Sequence, residues 1–239
     1  MASQIDKYPF RFKQFAVTQG RCAMKVNTDG VLLGAWADVA EANNILDIGT
    51  GTGVIAMMMA QRNSAAQIDA IDIDKEAFKQ STLNFNATPW SERLHPFQSS
   101  LQSFNPEKKY DVVISNPPYF INDYTSENKQ INVAKHGVEL SYEELVSGIY
   151  RLLSDDGKAF LVLPAFNLAI FEAIAQKGNL FITKRDDVIA VSGKQPYVTL
   201  LKLEKVPKAY SIGLIQIQYP DNTFTEQYKS ITKDFYLKF

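Results

Sequence analysis

The chain has 239 residues, 46% of them apolar and 21% charged, with a formal net charge of −1. That length fits a single α/β domain with a full core, and the balanced charge gives none of the bulk basic footprint typical of nucleic-acid binders. One cysteine, Cys22, excludes an internal disulfide and a cysteine zinc cluster, while no apolar run reaches membrane-spanning length and no signal-peptide pattern opens the chain. A cytoplasmic protein with no metal and no membrane partner is expected.

The predicted elements alternate along the chain. An apolar run, Val31-Leu32-Leu33-Gly34-Ala35-Trp36, reads as a helix opened by Thr28-Asp29-Gly30, with Thr28 or Asp29 as its cap. Strands are predicted near 44–49, 67–73, 94–100, 110–115, 157–163, 180–191 and 197–205. Helices are predicted near 53–62, 75–86, 141–153 and 165–177, the third opened by a capping box, Ser141-Tyr142-Glu143-Glu144. Such alternation implies a mostly parallel sheet with helices on both faces. Ser192-Gly193-Lys194-Gln195-Pro196 is too short for a crossover, so the strands it joins should be antiparallel. Residues 212–219 offer a further strand, and 224–236 a final helix with Phe224, Tyr228, Ile231 and Phe235 facing inward. The long stretch 120–139 carries Phe120, Tyr124, Lys129, Lys135 and His136 and reads as a mobile lid.

Two motifs carry chemistry. In the first, Asn44-Ile45-Leu46-Asp47-Ile48 runs into Gly49-Thr50-Gly51-Thr52-Gly53 and then a helix. Glycines allow a tight turn and close approach of a ligand, and the helix N-terminus offers free N–H groups. About twenty residues on, a second strand ends in Asp72, placed to bind ribose hydroxyls. The spacing Gly-x-Gly-x-Gly is not the dinucleotide pattern, and Asp47 would repel a pyrophosphate. A cationic ligand that carries a ribose fits best, and S-adenosylmethionine is one. In the second motif, the strand Tyr110-Asp111-Val112-Val113-Ile114-Ser115 stops at Asn116-Pro117-Pro118-Tyr119. Two prolines stiffen the loop at the strand's C-terminal end, where open α/β sheets place ligands. Asn116 and unclaimed carbonyls can accept hydrogen bonds from an NH₂ group while Tyr119 stacks on the ring that bears it.

Together these motifs resemble class I methyltransferases that act on amino groups conjugated to a ring or carbonyl. With Phe12-Lys13-Gln14-Phe15, Arg21-Cys22-Ala23-Met24-Lys25-Val26, Thr28 to Trp36, Ser91-Glu92-Arg93 and Phe235-Tyr236-Leu237, the chain is similar to the bacterial valine-tRNA adenine-N6 methyltransferase family over nearly its whole length. The resemblance implies a Rossmann-like α/β fold: a seven-stranded, mostly parallel sheet with an antiparallel last strand and helices on both faces. It implies one domain, 1–239, with an N-terminal segment at 1–42 closing over cofactor and substrate, a catalytic core at 43–205 and an extension at 206–239. It implies S-adenosylmethionine held by Thr28, Asp29, Asp47, Gly49, Gly51, Gly53, Asp72, Ser100 and Asn116. Catalysis falls to Asn116, Pro117 and Tyr119, and the substrate is the adenine immediately 3′ of the anticodon. One departure concerns Phe97-Gln98-Ser99-Ser100-Leu101, where relatives carry an acid for the cofactor's adenine amino group. Here Ser100 would have to accept that bond, more weakly.

A tRNA partner also draws on residues 7–25, where Lys7, Arg11, Lys13, Arg21 and Lys25 interleave with Tyr8, Phe10, Phe12 and Phe15 and no acid intervenes. Lys13, Arg21, Lys25, Tyr119 and Phe120 are the expected substrate contacts. A second basic cluster, Lys184, Arg185, Lys194, Lys202, Lys205 and Lys208, offset by Asp186, Asp187 and Glu204, reads either as RNA contact or as an edge-strand guard. Competing readings are glutamine-N5 methylation of a release factor, guanine-N2 methylation of rRNA, and an inactive cofactor- and RNA-binding scaffold. A monomer is expected.

Overall fold

The structure is a computed structural model describing residues 9–22, 24–117 and 140–239. Pro118, Tyr119, Phe120 and the rest of the expected lid, like Lys7 and Tyr8, lie outside the described residues.

A two-stranded ribbon, β1 (Phe10–Arg11) and β2 (Ala16–Val17), precedes helix α1 (Thr28–Trp36). There follow β3 (Asn44–Ile48), α2 (Val54–Arg62), β4 (Gln67–Asp72), α3 (Lys75–Asn86), β5 (Leu94–Gln98) and β6 (Tyr110–Ser115). The second half holds α4 (Tyr142–Leu152), β7 (Leu153–Pro164), α5 (Leu168–Lys177), β8 (Phe181–Val191), β9 (Val198–Glu204), β10 (Ser211–Gln218) and α6 (Glu226–Thr232).

Among the described residues the main sheet has eight strands, not seven, in the order β10-β8-β9-β7-β6-β3-β4-β5. The candidate strand at 212–219 is real. It reaches the outer side of β8 and pairs parallel to it, so the antiparallel β9 is neither last in sequence nor at an edge. β9 alone runs against its neighbours, as the short link before it requires.

Strand alternation sorts the core into two layers. Ile45, Val112, Ile114 and Val162 face α1, α2 and the aromatic C-terminal segment. Leu46, Ile48, Val113, Leu161 and Leu163 face α4 and α5. By parity Asp47 lies on the face of Ile45, toward α1 and α2. Helix α1 is buried almost all round, from Gly30 to Ala35, and its cap is Asn27 rather than Thr28 or Asp29: the Gly30 N–H donates to Asn27 Oδ1 at 2.8 Å. At Gly34 α1 lies so close to α2 that a Cβ would meet Met58 Sδ at 2.7 Å.

The N-terminal aromatic residues are mainly core, which corrects their reading as base-stacking groups. Phe12 and Phe15 are buried, stack on each other at 4.7 Å and close the core beside Tyr236 and Trp90. Their alternation with basic residues reflects an amphipathic ribbon whose apolar side must be covered.

Candidate active site

The glycine turn between β3 and α2 forms because Gly49, Gly51 and Gly53 take φ of 69°, 55° and 83°. At Gly53, a Cβ would also drive into the Phe85 ring. Around Gly49 and Gly51 there is nothing within 4 Å of a built Cβ, so the turn's outer side is open to a ligand. Asp72 ends the neighbouring strand and latches this turn: its Oδ2 accepts from Gly51 N at 2.8 Å and its Oδ1 from Asp74 N at 2.9 Å. Burial raises its pKa, against the pull of these N–H groups.

Asp47 is 1% exposed. Thr50 Oγ1 donates to its Oδ2 at 2.6 Å, while Oδ1 is buried without a hydrogen bond of good geometry, with the Ala56 N–H near enough only to temper its charge. Desolvation pushes its pKa up to about 7, with a contribution from Asp72. A buried carboxylate with an unpartnered oxygen beside an open glycine turn suits a positively charged, hydroxyl-rich ligand. The residues present therefore fit S-adenosylmethionine: Asp72 would face its ribose hydroxyls, and Asp47 would complement its positive charge.

The raised Asp47 pKa has a stability consequence. The folded state holds this proton more tightly than the unfolded chain. The benefit is complete below about pH 4 and is lost as pH rises toward 7. Relative to wild type, Asp47→Asn should therefore gain thermal stability as pH rises from 4 to 8, by roughly 10 °C, while binding the cofactor about tenfold more weakly. Melting curves across that range check it: a constant offset between the two proteins would refute the assignment.

Asn116 leaves the end of β6, which Ser115 fixes by donating from Oγ to Ile48 O at 2.8 Å. Pro117 beside it is buried. The N-terminus of α1 backs directly onto Asn116: a Cβ on Gly30 would lie 3.3 Å from Asn27 Oδ1 and 3.4 Å from Asn116 Nδ2. Thr28 and Asp29 stand at that helix start, and Tyr197 Oη donates to Asp29 Oδ1 at 3.1 Å. Asp29 thus faces the start of β9. Ser100 Oγ is engaged in its own turn, donating to Ser103 Oγ at 3.0 Å and accepting from Ser103 N at 3.2 Å, which leaves one lone pair for any further partner.

Of the basic residues expected to meet substrate, two are bound within the fold. Lys13 Nζ donates to Lys233 O at 2.5 Å and Phe239 O at 2.7 Å, tying the ribbon to the C-terminal segment. Arg21 pairs with Glu76 at 3.2 Å. Lys25 is exposed. The second basic cluster is largely neutralised, with Lys184, Arg185, Lys202, Lys205 and Lys208 each paired to Asp or Glu. Cys22 is half-buried, its thiol pushed up to about 12 by burial and the nearby acids Asp72 and Asp74, so it is no nucleophile at neutral pH.

Three positioning residues escape the sequence motifs. Asn27 caps α1 beside Asn116. Tyr197 holds Asp29. Asn84 on α3 donates to Thr52 O and Thr18 O, both at 2.8 Å, and accepts from Thr18 N and Oγ1, tying the N-terminal segment to the glycine turn. A buried amide on the inner face of an amphipathic helix was the one available sign of Asn84.

This topology, with ligand-facing motifs at the strand ends and one antiparallel strand, makes the chain a class I methyltransferase by fold. A predicted O-methyltransferase from Agrobacterium tumefaciens superposes with a TM-score of 0.67 at 16% identity, covering 87% of this chain and 96% of that one. A ribosomal protein L11 methylase from Lactobacillus delbrueckii gives 0.56 at 15%, covering 79% and 83%. The methyltransferase small domain family model matches residues 25–167. Relatives described as tRNA1(Val) (adenine(37)-N6)-methyltransferase include one from Pseudoalteromonas translucida, 40% identical over 96% of this chain and 98% of its own length. Another, from Phocaeicola vulgatus, is 41% identical over 95% and 97%. The chain belongs to the tRNA1(Val) (adenine(37)-N6)-methyltransferase family, within the methyltransferase small domain family, and its cofactor is S-adenosylmethionine.

Proposed function

We propose that the protein methylates the exocyclic N6 of adenine 37, immediately 3′ of the anticodon, in valine tRNA. The observation that carries this reading is its similarity, over nearly the full length, to relatives bearing that activity in their names. Asn116 at the mouth of the sheet, beside the glycine turn, supports it on chemical grounds.

Bound S-adenosylmethionine supplies an electrophilic methyl group. Asn116 and the Pro117 carbonyl accept hydrogen bonds from the N6 hydrogens and draw the nitrogen lone pair out of conjugation with the ring. Tyr119 and Phe120 hold the extruded base by stacking, and Lys25 and Arg21 meet the backbone beside it. Asp47, Asp72, Thr28, Asp29 and Ser100 hold the cofactor side. The amine is neutral, so no strong base is needed before transfer; rate comes from positioning and electrostatic complementarity. Participation of β10 in the main sheet supports reading 1–239 as one domain. Among the described residues no helix is long and apolar enough to cross a membrane, and the reading assigns the protein to the cytoplasm as a monomer.

Incubation with labelled cofactor and total unmodified tRNA, followed by mass mapping of the product nucleoside, tests the proposal. N6-methyladenosine 3′ of the valine anticodon is expected. A methylated guanine, or label only on a release factor, would replace this reading.

A further inference from the structure

A cavity of about 710 Å³ opens beside the ends of β8 and β10, toward the opposite end of the strand order from β3 and its glycine turn. Thr28 lines it, but Asp47, Asp72, the glycine turn and Asn116 do not. Its walls come from four places distant in sequence: β1, the start of α1, the β8–β9 turn region, and the β10–α6 and C-terminal segments. The volume lies within the range of small-ligand sites.

Its chemistry is one-sided. Phe10, Tyr197, Phe224 and Tyr236 supply aromatic rings, Arg11 and Lys238 supply cations, and no Asp or Glu side chain lines it. Among the described residues neither cation makes an ion pair, in contrast to the neutralised lysines of β8 and β9. Tyr197 is 38% exposed, a large ring left open to a partner, with its hydroxyl anchored on Asp29. Rings flanked by unpaired cations match a planar group joined to an anionic backbone.

The location narrows the occupant. Asn27 lines the cavity on one side, and on the other its Oδ1 shares with Asn116 Nδ2 the space that a Gly30 Cβ would need. Cavity and Asn116 are therefore separated by a single side chain.

We propose that this cavity is a second base pocket, taking an unstacked nucleobase adjacent to the target adenine, with Arg11 and Lys238 on the phosphates beside it. The inference rests on the tRNA reading and deepens it. An anticodon loop offers splayed bases, and reading a neighbour of the target would add sequence selection that a site built around one adenine lacks. The ribbon and the C-terminal segment then have a shared purpose: the bond network of Lys13 holds two cavity walls together.

The test reads RNA affinity without turnover, by titrating unmodified tRNA transcripts that carry one abasic nucleotide on either side of the target. Wild type should lose about tenfold or more in affinity at one flanking position. Ala190 lines the cavity and is exposed, so Ala190→Phe fills the space without deleting a contact. That variant should bind intact tRNA correspondingly weakly, gain no further penalty from the abasic nucleotide, and keep wild-type cofactor affinity. Independently, Arg11→Ala with Lys238→Ala should flatten the dependence of log affinity on log salt by about 0.7 per cation removed. Wild-type affinity in Ala190→Phe, or an unchanged salt slope in the double variant, would overturn the pocket. Methylation of a different nucleotide with these binding effects intact would overturn the target assignment and leave the pocket standing.

Discussion

Replacing Asn116 by alanine is expected to lower the methylation rate by about 100–1000-fold, equivalent to roughly 2.7–4 kcal/mol, with little change in cofactor affinity. The carboxamide sits where β6 ends, held by the Ser115 tie to β3 and backed by α1 at Gly30. In the proposed mechanism its bond to the amino group strengthens as the nitrogen leaves conjugation, so the loss should fall on kcat more than on tRNA binding. The strand stop itself depends on Pro117 and the β6 pairing, which the substitution leaves in place. Tyr119→Ala should instead weaken both binding and rate, while Tyr119→Phe keeps the stacking face and much of the activity. Single-turnover rates alongside tRNA titrations separate these patterns. A near wild-type rate in Asn116→Ala would reduce Asn-Pro-Pro-Tyr to a strand stop.

Much of this architecture was legible because local and global signals agree. A short, β-branched apolar run such as Val112-Val113-Ile114, stopped by two prolines, reads as a strand buried on both faces, and β6 begins and ends where the pattern does. The capping box at Ser141 opens α4 as read, with both reciprocal bonds formed. The glycine turn and Asp72 come together across adjacent strands, since β3 and β4 pair in register from Asn44 with Gln67 to Ile48 with Ile71. What stayed hidden was tertiary. Nothing local tells Asn27 from Thr28 as the α1 cap, because all are competent oxygens. Only docking of α1 against Asn116 selects the geometry. Phe12 and Phe15 looked like an exposed arm because the surface they cover, the C-terminal aromatic segment, lies more than 200 residues away. The cations of β8 and β9 form no free basic face because the acids that offset them stand two residues along the same strand, on the same side of it: Asp186 beside Lys184, Asp187 beside Arg185 and Glu204 beside Lys202.

Asp72, the expected ribose ligand, has a second task in the structure. Its two oxygens already accept from Gly51 N and Asp74 N, so the same carboxylate that would bind hydroxyls also sets the shape of the glycine turn. Asp72→Ala removes both at once, and S-adenosylmethionine affinity should fall by about 100-fold, the scale of one or two charge-assisted hydrogen bonds. Asp72→Asn keeps an acceptor for Gly51 and loses the charge, so it should fall between alanine and wild type. Stability should move little in either variant. Burial raises the Asp72 pKa, so at neutral pH the ionised group is an electrostatic cost to the folded state, and relief of that cost offsets the lost latch. In wild type the same shift predicts that cofactor affinity weakens on acidification at a higher pH than an ordinary carboxylate would allow, as protonation removes an acceptor. Calorimetric titrations of the three proteins at neutral and mildly acidic pH decide the matter. If Asp72→Asn binds no better than Asp72→Ala, the charge alone matters and the latch contributes nothing. If both bind like wild type, the acid at the end of β4 is not the ribose ligand.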